Sequence, residues 1–246
     1  ILDFENLTED NIYVLESPIL SNSQFERFTL YFKNNLKVLD CTFDVRNNLK
    51  KRLEQLCSEA EIAVREGCKH LILSDKKISE EKVAMPMILA FGAVNSRLIN
   101  LGIRGFVSIN VQTAETLDTH SFAVLLGAGA TTINPYLAFD SIYQRYEKKL
   151  FGKFSYEECI QRYVKSIDNG LLKIMSKMGI SVLSAYRGGC NFETVGLSRA
   201  IVSEYFPGII SRISGIGIFG IETKIIELHK KAFQKNISIL PIGGMY

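Results

Sequence analysis

Three glycines late in the sequence have the spacing of a dinucleotide-binding loop. Gly215, Gly217 and Gly220 form G-x-G-x-x-G. This motif binds a pyrophosphate when a strand precedes it, a helix follows it and a carboxylate lies about 20 residues further on. Residues 221–232 have helical periodicity, but a Pro-Gly break leaves little room for a buried strand before the motif. The next predicted strand, 237–242, ends in glycines, so we interpret the motif as a turn that starts a helix.

A second glycine turn is the better candidate for anion binding. Arg187, Gly188 and Gly189 follow a predicted strand at 180–186, and a helix is expected to begin near Asn191. Backbone amides in such a turn, beside a cation, can hold a phosphate. The same turn is also explained by the start of a helix alone, and both interpretations stay open.

Polar side chains follow each predicted strand. In parallel α/β folds ligands bind at the carboxyl ends of the strands, so these side chains are expected to share one edge. They are Thr42, Asp44, Ser74, Asp75, Asn110, Gln112, Thr113, Asn134, Tyr136, Ser184, Tyr186 and Arg187. The set has no histidine at a strand end, no Cys-His pair and no second carboxylate placed by a motif. We therefore predict no catalytic residue, because caps and turns recruit the same residue types.

The histidines and cysteines do not predict a metal site. His70, His120 and His229 are isolated, without a ligand partner three or four residues away. The five cysteines are widely spaced and form no C-x-x-C pair. This usage is typical of a reducing compartment, so we expect a cytoplasmic protein with no metal or cofactor residue in this chain.

The candidate residues are positioned by repeated strand-turn-helix units that begin near residue 37. Strands are predicted at 37–43, 70–75, 105–113, 131–136 and 180–186. Helices between them include one with a capping box formed by Ser155 and Glu158. Repeated βαβ units imply parallel strands, and apolar runs such as HLILS indicate burial on both faces. The predicted fold class is α/β, with parallel βα repeats forming an incomplete (β/α) barrel-like domain.

Length and composition limit the classes of function. The chain has 246 residues, is 47% hydrophobic and carries a net charge of +3 without a basic stripe, which argues against nucleic acid binding. The longest apolar run, 83–94, is too short to cross a membrane. We expect residues 1–36 to be a lead-in segment packed on an α/β domain spanning 37–246. Both ends look cut, so a longer multidomain polypeptide is expected.

Four stretches, in this order, resemble one known family. They are SPILSN at 17–22, HSFAVLLGAGATTINPYLA at 120–138, NGLLKIMSKMGISVLSAYRGGCNFETVGLS at 169–198 and YFPGIISRISGIG at 205–217. Together they resemble the central domain of the large subunit of glutamate synthase, over nearly the whole chain. In that family the GIG stretch is not a nucleotide loop.

The resemblance implies a place between two catalytic domains. A glutaminase domain releases ammonia from glutamine, and a later domain with FMN and an iron-sulfur cluster adds it to 2-oxoglutarate. The expected partners are these neighbouring domains and, for the parent enzyme, a small subunit or ferredoxin. The family's catalytic and cofactor residues have no matching positions here, so none is carried over.

The predicted function is that of a non-catalytic connecting domain that contributes to the wall of an ammonia path. Two alternatives stay open. One is a self-sufficient (β/α) barrel enzyme that binds phosphate or flavin at the YRGGC turn, residues 186–190. The other is a scaffold for protein interactions, which would expose a contiguous apolar patch.

Overall fold

The computed structural model describes residues 13–234. Its elements, in chain order, are α1 (Asn22–Tyr31), β1 (Leu36–Asp40), β2 (Thr42–Asp44), α2 (Leu49–Arg65), β3 (His70–Ser74), β4 (Lys82–Ala84), α3 (Met87–Asn100), β5 (Ser108–Gln112), α4 (Thr119–Ala128), β6 (Ile133–Asn134), α5 (Tyr136–Glu147), α6 (Tyr156–Met178), α7 (Leu183–Tyr186), β7 (Glu193–Leu197), α8 (Arg199–Tyr205), β8 (Ile210–Ile216) and α9 (Ile218–Ala232).

The main sheet has four parallel strands in the order β1-β3-β5-β6. Neighbours in the sheet are therefore successive βα repeats, which confirms the predicted fold class. The sheet is open and does not close into a barrel. Beyond β6 the lead-in segment adds one parallel bridge, from Ile19 to Ile133. The Leu20 amide donates to the Ile133 carbonyl at 2.9 Å, and the Ile133 amide donates to Pro18 at 2.8 Å.

The apolar strands are buried on both faces of this sheet. In β3, Leu71 and Leu73 point into the main core with helices α2 and α3, and neither is exposed to solvent. Ile72, between them, points to the other face and packs with Phe25 and Phe28 of α1. This alternation is why Leu71, Ile72 and Leu73 are all apolar, as expected for a parallel strand covered by helices.

Helix boundaries follow their capping residues. The predicted capping box is confirmed: the Ser155 hydroxyl accepts from the Glu158 amide, and the Glu158 carboxylate accepts from the Ser155 amide. Gly179 ends the same helix with a left-handed φ of 72°, a conformation that glycine adopts without steric cost.

The prediction of a strand at 180–186 is wrong. Residues 183–186 form the short helix α7, and Tyr186 lies in the core with its hydroxyl donating to the Ala123 carbonyl at 3.2 Å. The free edge of β6, where a fifth strand would pair, is occupied by Ile19. A hydrophobic run alone could not reveal that competition.

The strand predicted at 37–43 divides into two. Strand β1 lies in the main sheet, whereas β2 leaves it and pairs antiparallel with β4. The amide of Cys41, at the break, still donates to the Ser74 carbonyl at 2.8 Å. Strand β4 was not predicted.

A C-terminal unit, formed by β7, α8, β8 and α9, contains a second sheet of two parallel strands. Strand β8 runs into the glycine motif and contains its first glycine, Gly215. The sequence left little room for a buried strand at this place, and β8 is mostly exposed. A side chain at Gly215 would meet the backbone of Gly196, so this glycine allows close contact between β7 and β8.

Polar contacts join the C-terminal unit to the helices of the main domain. The Glu222 carboxylate of α9 accepts from the Leu49 amide, at the start of α2, at 2.6 Å. The Ser96 hydroxyl of α3 donates to the Tyr205 carbonyl at 2.9 Å. Because a helix leaves its first amides unpaired, Glu222 supplies an acceptor that α2 needs.

None of the helices described within residues 13–234 combines the length and apolar character that a membrane span requires. The strand predicted at 237–242 lies outside the described residues, as do residues 1–12 of the predicted lead-in segment.

Candidate functional site

The carboxyl edge of the main sheet holds a fully buried carboxylate. Asp75 follows β3 and accepts hydrogen bonds from the Thr113 hydroxyl at 2.6 Å and the Ala114 amide at 3.0 Å. The Tyr136 hydroxyl is a further donor to it. Burial raises the pKa of Asp75, and these hydrogen bonds oppose the rise. Asp75 is thus a fixed acceptor that ties the ends of β3, β5 and β6 together.

A second carboxyl group, Glu115, lies beside this cluster and was not predicted. It is exposed as a residue, but its carboxylate turns inward and accepts from the Met87 amide at 2.8 Å. Desolvation, with a smaller contribution from Asp75, raises the pKa of Glu115 to about 7. Pro86 precedes α3 and provides no side-chain cap, which is the one sequence signal that an acceptor must come from elsewhere.

Cys41 is the thiol nearest this edge, and it is not an activated nucleophile. It is fully buried, and desolvation, followed by the charge of Asp75, raises its pKa well above the ordinary range. Only a thiolate reacts efficiently as a nucleophile or metal ligand. The protonated Cys41 thiol is therefore expected to be unreactive.

Uncharged side chains form a hydrogen-bonded row across the sheet, which we call the polar ladder (Ser74, Gln112, Asn134 and Asn22). The Ser74 hydroxyl donates to Gln112 Oε1 at 2.8 Å, and Gln112 Nε2 donates to Asn134 Oδ1 at 3.1 Å. Asn134 Nδ2 donates to the Leu20 carbonyl and to Asn22 Oδ1, both at 3.0 Å. The polar ladder therefore joins three strands to the start of α1.

Two further polar pairs lie on the same face of the sheet. The Thr132 hydroxyl donates to Asn110 Oδ1 at 2.8 Å, and Asn110 Nδ2 donates to the Leu71 carbonyl at 3.2 Å. Nearer the start of the strands, Ser108 and His70 Nδ1 are hydrogen-bonded at 2.7 Å. In β3 and β5 the polar side chains facing α1 are thus bonded to one another or to backbone, whereas the opposite face of these strands is apolar.

The predicted edge residues do not form a single site. Asp75, Thr113 and Tyr136 meet in the carboxylate cluster, and Ser74, Gln112 and Asn134 form the polar ladder. Thr42 and Asp44 bond locally, to Asp40 at 2.7 Å and to Arg46 at 3.3 Å respectively, while Asn110 lies within β5. Ser184, Tyr186 and Arg187 do not reach this edge, because residues 180–186 are not a strand.

The anion-binding turn differs from its prediction. The Gly188 amide donates to the Gly127 carbonyl at 2.8 Å, and the Gly189 amide donates to Tyr186 at 3.4 Å. No helix begins near Asn191, because β7 follows at Glu193. These two amides are therefore engaged by the protein itself, and anion binding by Arg187, Gly188 and Gly189 stays a prediction.

The Arg187 side chain instead lines a cavity of about 460 Å³, which we call the lateral cavity. Its wall is formed by residues 15–18, the start of β6 at Thr131 and Thr132, and the inner face of α6. A larger cavity of about 810 Å³ shares Glu16, Ser17 and Asp168 with it. Both lie at the end of the sheet where the lead-in segment joins β6, away from the buried Asp75 cluster.

The histidines are positioned by ordinary contacts. His70 packs against the Phe32 ring at a centroid distance of 3.9 Å, and His229 Nε2 lies 3.1 Å from the Glu80 carbonyl. His120 stacks edge-on with Phe192. Among residues 13–234 no three His, Cys, Asp or Glu side chains are grouped in a way that could hold a metal ion.

An open sheet of four parallel strands with helices between them defines an α/β domain. The sequence model described as "Glutamate synthase central domain" matches residues 1–198, and the chain belongs to that family. It is 49% identical, over its whole length, to the glutamate synthase [NADPH] large chain of Azospirillum brasilense.

Further relatives agree. The chain is 39% identical, over 91% of its length, to the glutamate synthase [NADPH] large chain of Bacillus subtilis (strain 168). It is 38% identical, over 90% of its length, to the chloroplastic ferredoxin-dependent glutamate synthase of Oryza sativa subsp. japonica. The chain spans only 15–16% of the length of these relatives.

Proposed function

We propose that this chain is a non-catalytic domain that connects a glutaminase domain to a synthase domain within a glutamate synthase large chain. The observation that carries the proposal is the family match over residues 1–198, in relatives of which this chain spans 15–16%. In the proposed role it holds the two catalytic domains apart at a fixed distance. The parent enzyme would form glutamate from glutamine and 2-oxoglutarate, in the cytoplasm.

The state of the titratable groups at the carboxyl edge supports a structural role. Asp75 is surrounded by three donors, and the Cys41 thiol is held in its protonated form by burial. A general base needs a free lone pair directed at substrate, and a nucleophilic cysteine needs a depressed pKa. Neither condition is met by these two groups.

The neutral face of the sheet supports a contribution to the ammonia path. Ammonia must stay uncharged to move between sites, and a carboxylate beside it would favour ammonium. The polar ladder and the Asn110–Thr132 pair offer amides and hydroxyls without a carboxylate among them. We propose that the path passes along the end of this face.

The proposed partners are the neighbouring domains of the same polypeptide. Val195, Ile210 and Ile213 of the two-stranded sheet are 58–65% exposed, and Phe219 of α9 is 74% exposed. Apolar side chains grouped in this way suit a surface that another domain covers. For the whole enzyme we propose either a small subunit or ferredoxin as electron source.

FMN and the iron-sulfur cluster are assigned to the synthase domain. The five cysteines here are free, and two of them, Cys41 and Cys159, are buried. Cluster ligation needs several thiolates close together. The described residues do not fit that requirement, and no step of the reaction is derived through either group.

A direct test uses the purified chain. It is titrated with FMN while flavin fluorescence is followed, and it is assayed for glutaminase and glutamate synthase activity. The proposal predicts no stoichiometric flavin binding and no turnover. Stoichiometric flavin binding would contradict it and favour a self-sufficient flavin-binding enzyme.

The ammonia path has its own test, in a full-length glutamate synthase large chain that carries this domain. Gln112→Glu places a carboxylate in the polar ladder, and the matched control Gln55→Glu places one on the surface of α2. We expect Gln112→Glu to lower the ratio of glutamate formed to glutamine hydrolysed. An unchanged ratio in both variants would contradict the proposal that the ammonia path passes along this face of the sheet.

A further inference from the structure

The lateral cavity has the general character of a small-molecule site. At about 460 Å³ it lies within the range of ligand pockets. Its floor is apolar, with Leu171 and Met175 of α6 buried beneath it and Leu183 at one side. Pockets of this kind gain specificity from a few polar groups placed around an apolar surface. Three of the lining side chains carry charge: Arg187 is the cation, and Asp168 and Glu16 are carboxylates.

Arg187 brings a positive charge to the wall of the lateral cavity. Within residues 13–234 its guanidinium makes no hydrogen bond or ion pair with another side chain. Desolvation first, and the charge of Arg187 second, lower the pKa of Arg104. Arg104 itself is bonded to Asn95 at 2.6 Å and to the Val107 carbonyl at 2.6 Å. Among the described residues Arg187 is thus the cation of this pair without a side-chain partner, and a planar guanidinium is well suited to bind a carboxylate.

Asp168 brings a carboxyl group to the same cavity. It accepts one hydrogen bond, from the Ser17 hydroxyl at 2.8 Å, and no ion pair of the described residues includes it. Desolvation raises its pKa, with the Ser17 bond acting in the opposite direction. A bound ammonium group would supply the missing positive partner.

We propose that the lateral cavity binds a free α-amino acid with an aliphatic side chain, with its carboxylate on Arg187 and its ammonium group on Asp168. The side chain then lies on the apolar floor formed by Leu171, Met175 and Leu183. This is a ligand site separate from the connecting role, and it does not depend on that role. It also gives Arg187 a function that needs none of the engaged glycine amides.

Isothermal titration of the purified chain with L-leucine and two analogues tests the proposal. The analogue 4-methylpentanoate lacks the amine, and 3-methylbutylamine lacks the carboxylate. We expect L-leucine to bind, and each analogue to bind about tenfold more weakly or worse, because each loses one charge-assisted contact. Absence of L-leucine binding at millimolar concentrations would overturn the proposal.

Two substitutions assign the contacts. Arg187→Met should abolish binding of both L-leucine and 4-methylpentanoate. Asp168→Asn, which keeps an oxygen acceptor for Ser17, should weaken L-leucine about tenfold and leave 4-methylpentanoate unchanged. The matched control is Arg212→Met, which removes an exposed arginine paired with Glu193 elsewhere. L-leucine binding that survives Arg187→Met would overturn the proposal, as would Arg187-dependent binding of inorganic phosphate in place of L-leucine.

Circular dichroism of each variant separates loss of binding from loss of folding. Arg187 makes no side-chain bond within the described residues, so its replacement is expected to leave the fold intact. If Arg187→Met does not fold, the test rests on the ligand series with the unaltered chain. In that series, equal binding of L-leucine and 4-methylpentanoate would itself overturn the role of Asp168.

Discussion

The two parallel sheets of this domain are built from similar residue types but are used differently. In the main sheet, Ile109 of β5 and Leu71 of β3 have no exposed surface. In the two-stranded sheet, Val195 of β7 is 65% exposed and Ile213 of β8 is 60% exposed. Both sheets carry β-branched and apolar side chains, yet only the first has helices over both faces.

The difference in exposure indicates different roles for the two sheets. The main sheet forms a core within this chain, and the two-stranded sheet offers a surface that suits a partner. Burial of apolar area stabilises the main sheet within this chain. The exposed side chains of β7 and β8 contribute little here and would contribute once another domain covers them. A connecting domain is expected to have both parts: a rigid body and an apolar face for a neighbour.

The sharpest test of this comparison is a matched pair of isoleucine substitutions. Ile109→Ala should lower the free energy of unfolding by about 2–5 kcal/mol, because it opens a cavity in a closed core. Ile213→Ala should change it by about 0.5 kcal/mol or less, because the side chain is mostly in water. Urea denaturation followed by circular dichroism measures both. Equal losses would show that β8 is as much part of the core as β5.

A glycine substitution tests how the C-terminal unit holds its two strands together. Gly215→Ala places a Cβ against the backbone of Gly196, so β7 and β8 must separate or shift. We expect a loss of about 2 kcal/mol, typical of overpacking, seen as a lower urea midpoint. Gly105→Ala is the control, since nothing lies within 4 Å of its added Cβ. A Gly215→Ala variant as stable as the control would disprove the close approach.

The contact between the two regions can be broken at Glu222. Glu222→Ala leaves the Leu49 amide without its carboxylate acceptor, at a cost of about 1–2 kcal/mol. Glu227→Ala, on an exposed position of the same helix, controls for the loss of negative charge. Hydrogen exchange of α9 should accelerate in the first variant only. Equal exchange in the two variants would mean that Glu222 does not hold the unit in place.

The smallest expected effect is a pH dependence of the stability of the main domain, caused by Glu115. Glu115 has a pKa of about 7 in the folded chain against 4.5 for an unperturbed glutamate, so the folded state binds more protons between those values. Stability should therefore fall as pH rises from about 4.5 to about 7. Because Glu115 is partly exposed to solvent, which screens the charge, we expect a change of about 1 kcal/mol. Glu115→Gln should flatten this part of the thermal-stability profile, and an unaltered slope would contradict the assignment.

The sequence predicted the main sheet well because its signals are local. Continuous apolar runs such as residues 70–74, followed by capped helices, indicate parallel βα repeats without reference to distant contacts. The cluster at the end of β3 and β5 was also anticipated in part. Asp75 and Thr113 end their strands in register, as parallel pairing requires.

The errors occurred where a distant segment decides the outcome. Residues 180–186 have strand-like composition, but Ile19, more than 160 positions earlier, occupies the edge they would use. Glu115 was missed because its role depends on the uncapped start of α3, 28 residues away in sequence. Strand β8 was missed because exposed parallel strands lack the apolar run that marks buried ones.

The most direct test of the connecting role compares hydrogen exchange in two settings: the chain alone, and a full-length glutamate synthase large chain that carries it. The account predicts that amides of β8 exchange at least about tenfold more slowly in the large chain, while those of β5 keep the same rate. Unchanged exchange at β8 would contradict the claim that a neighbouring domain covers this face.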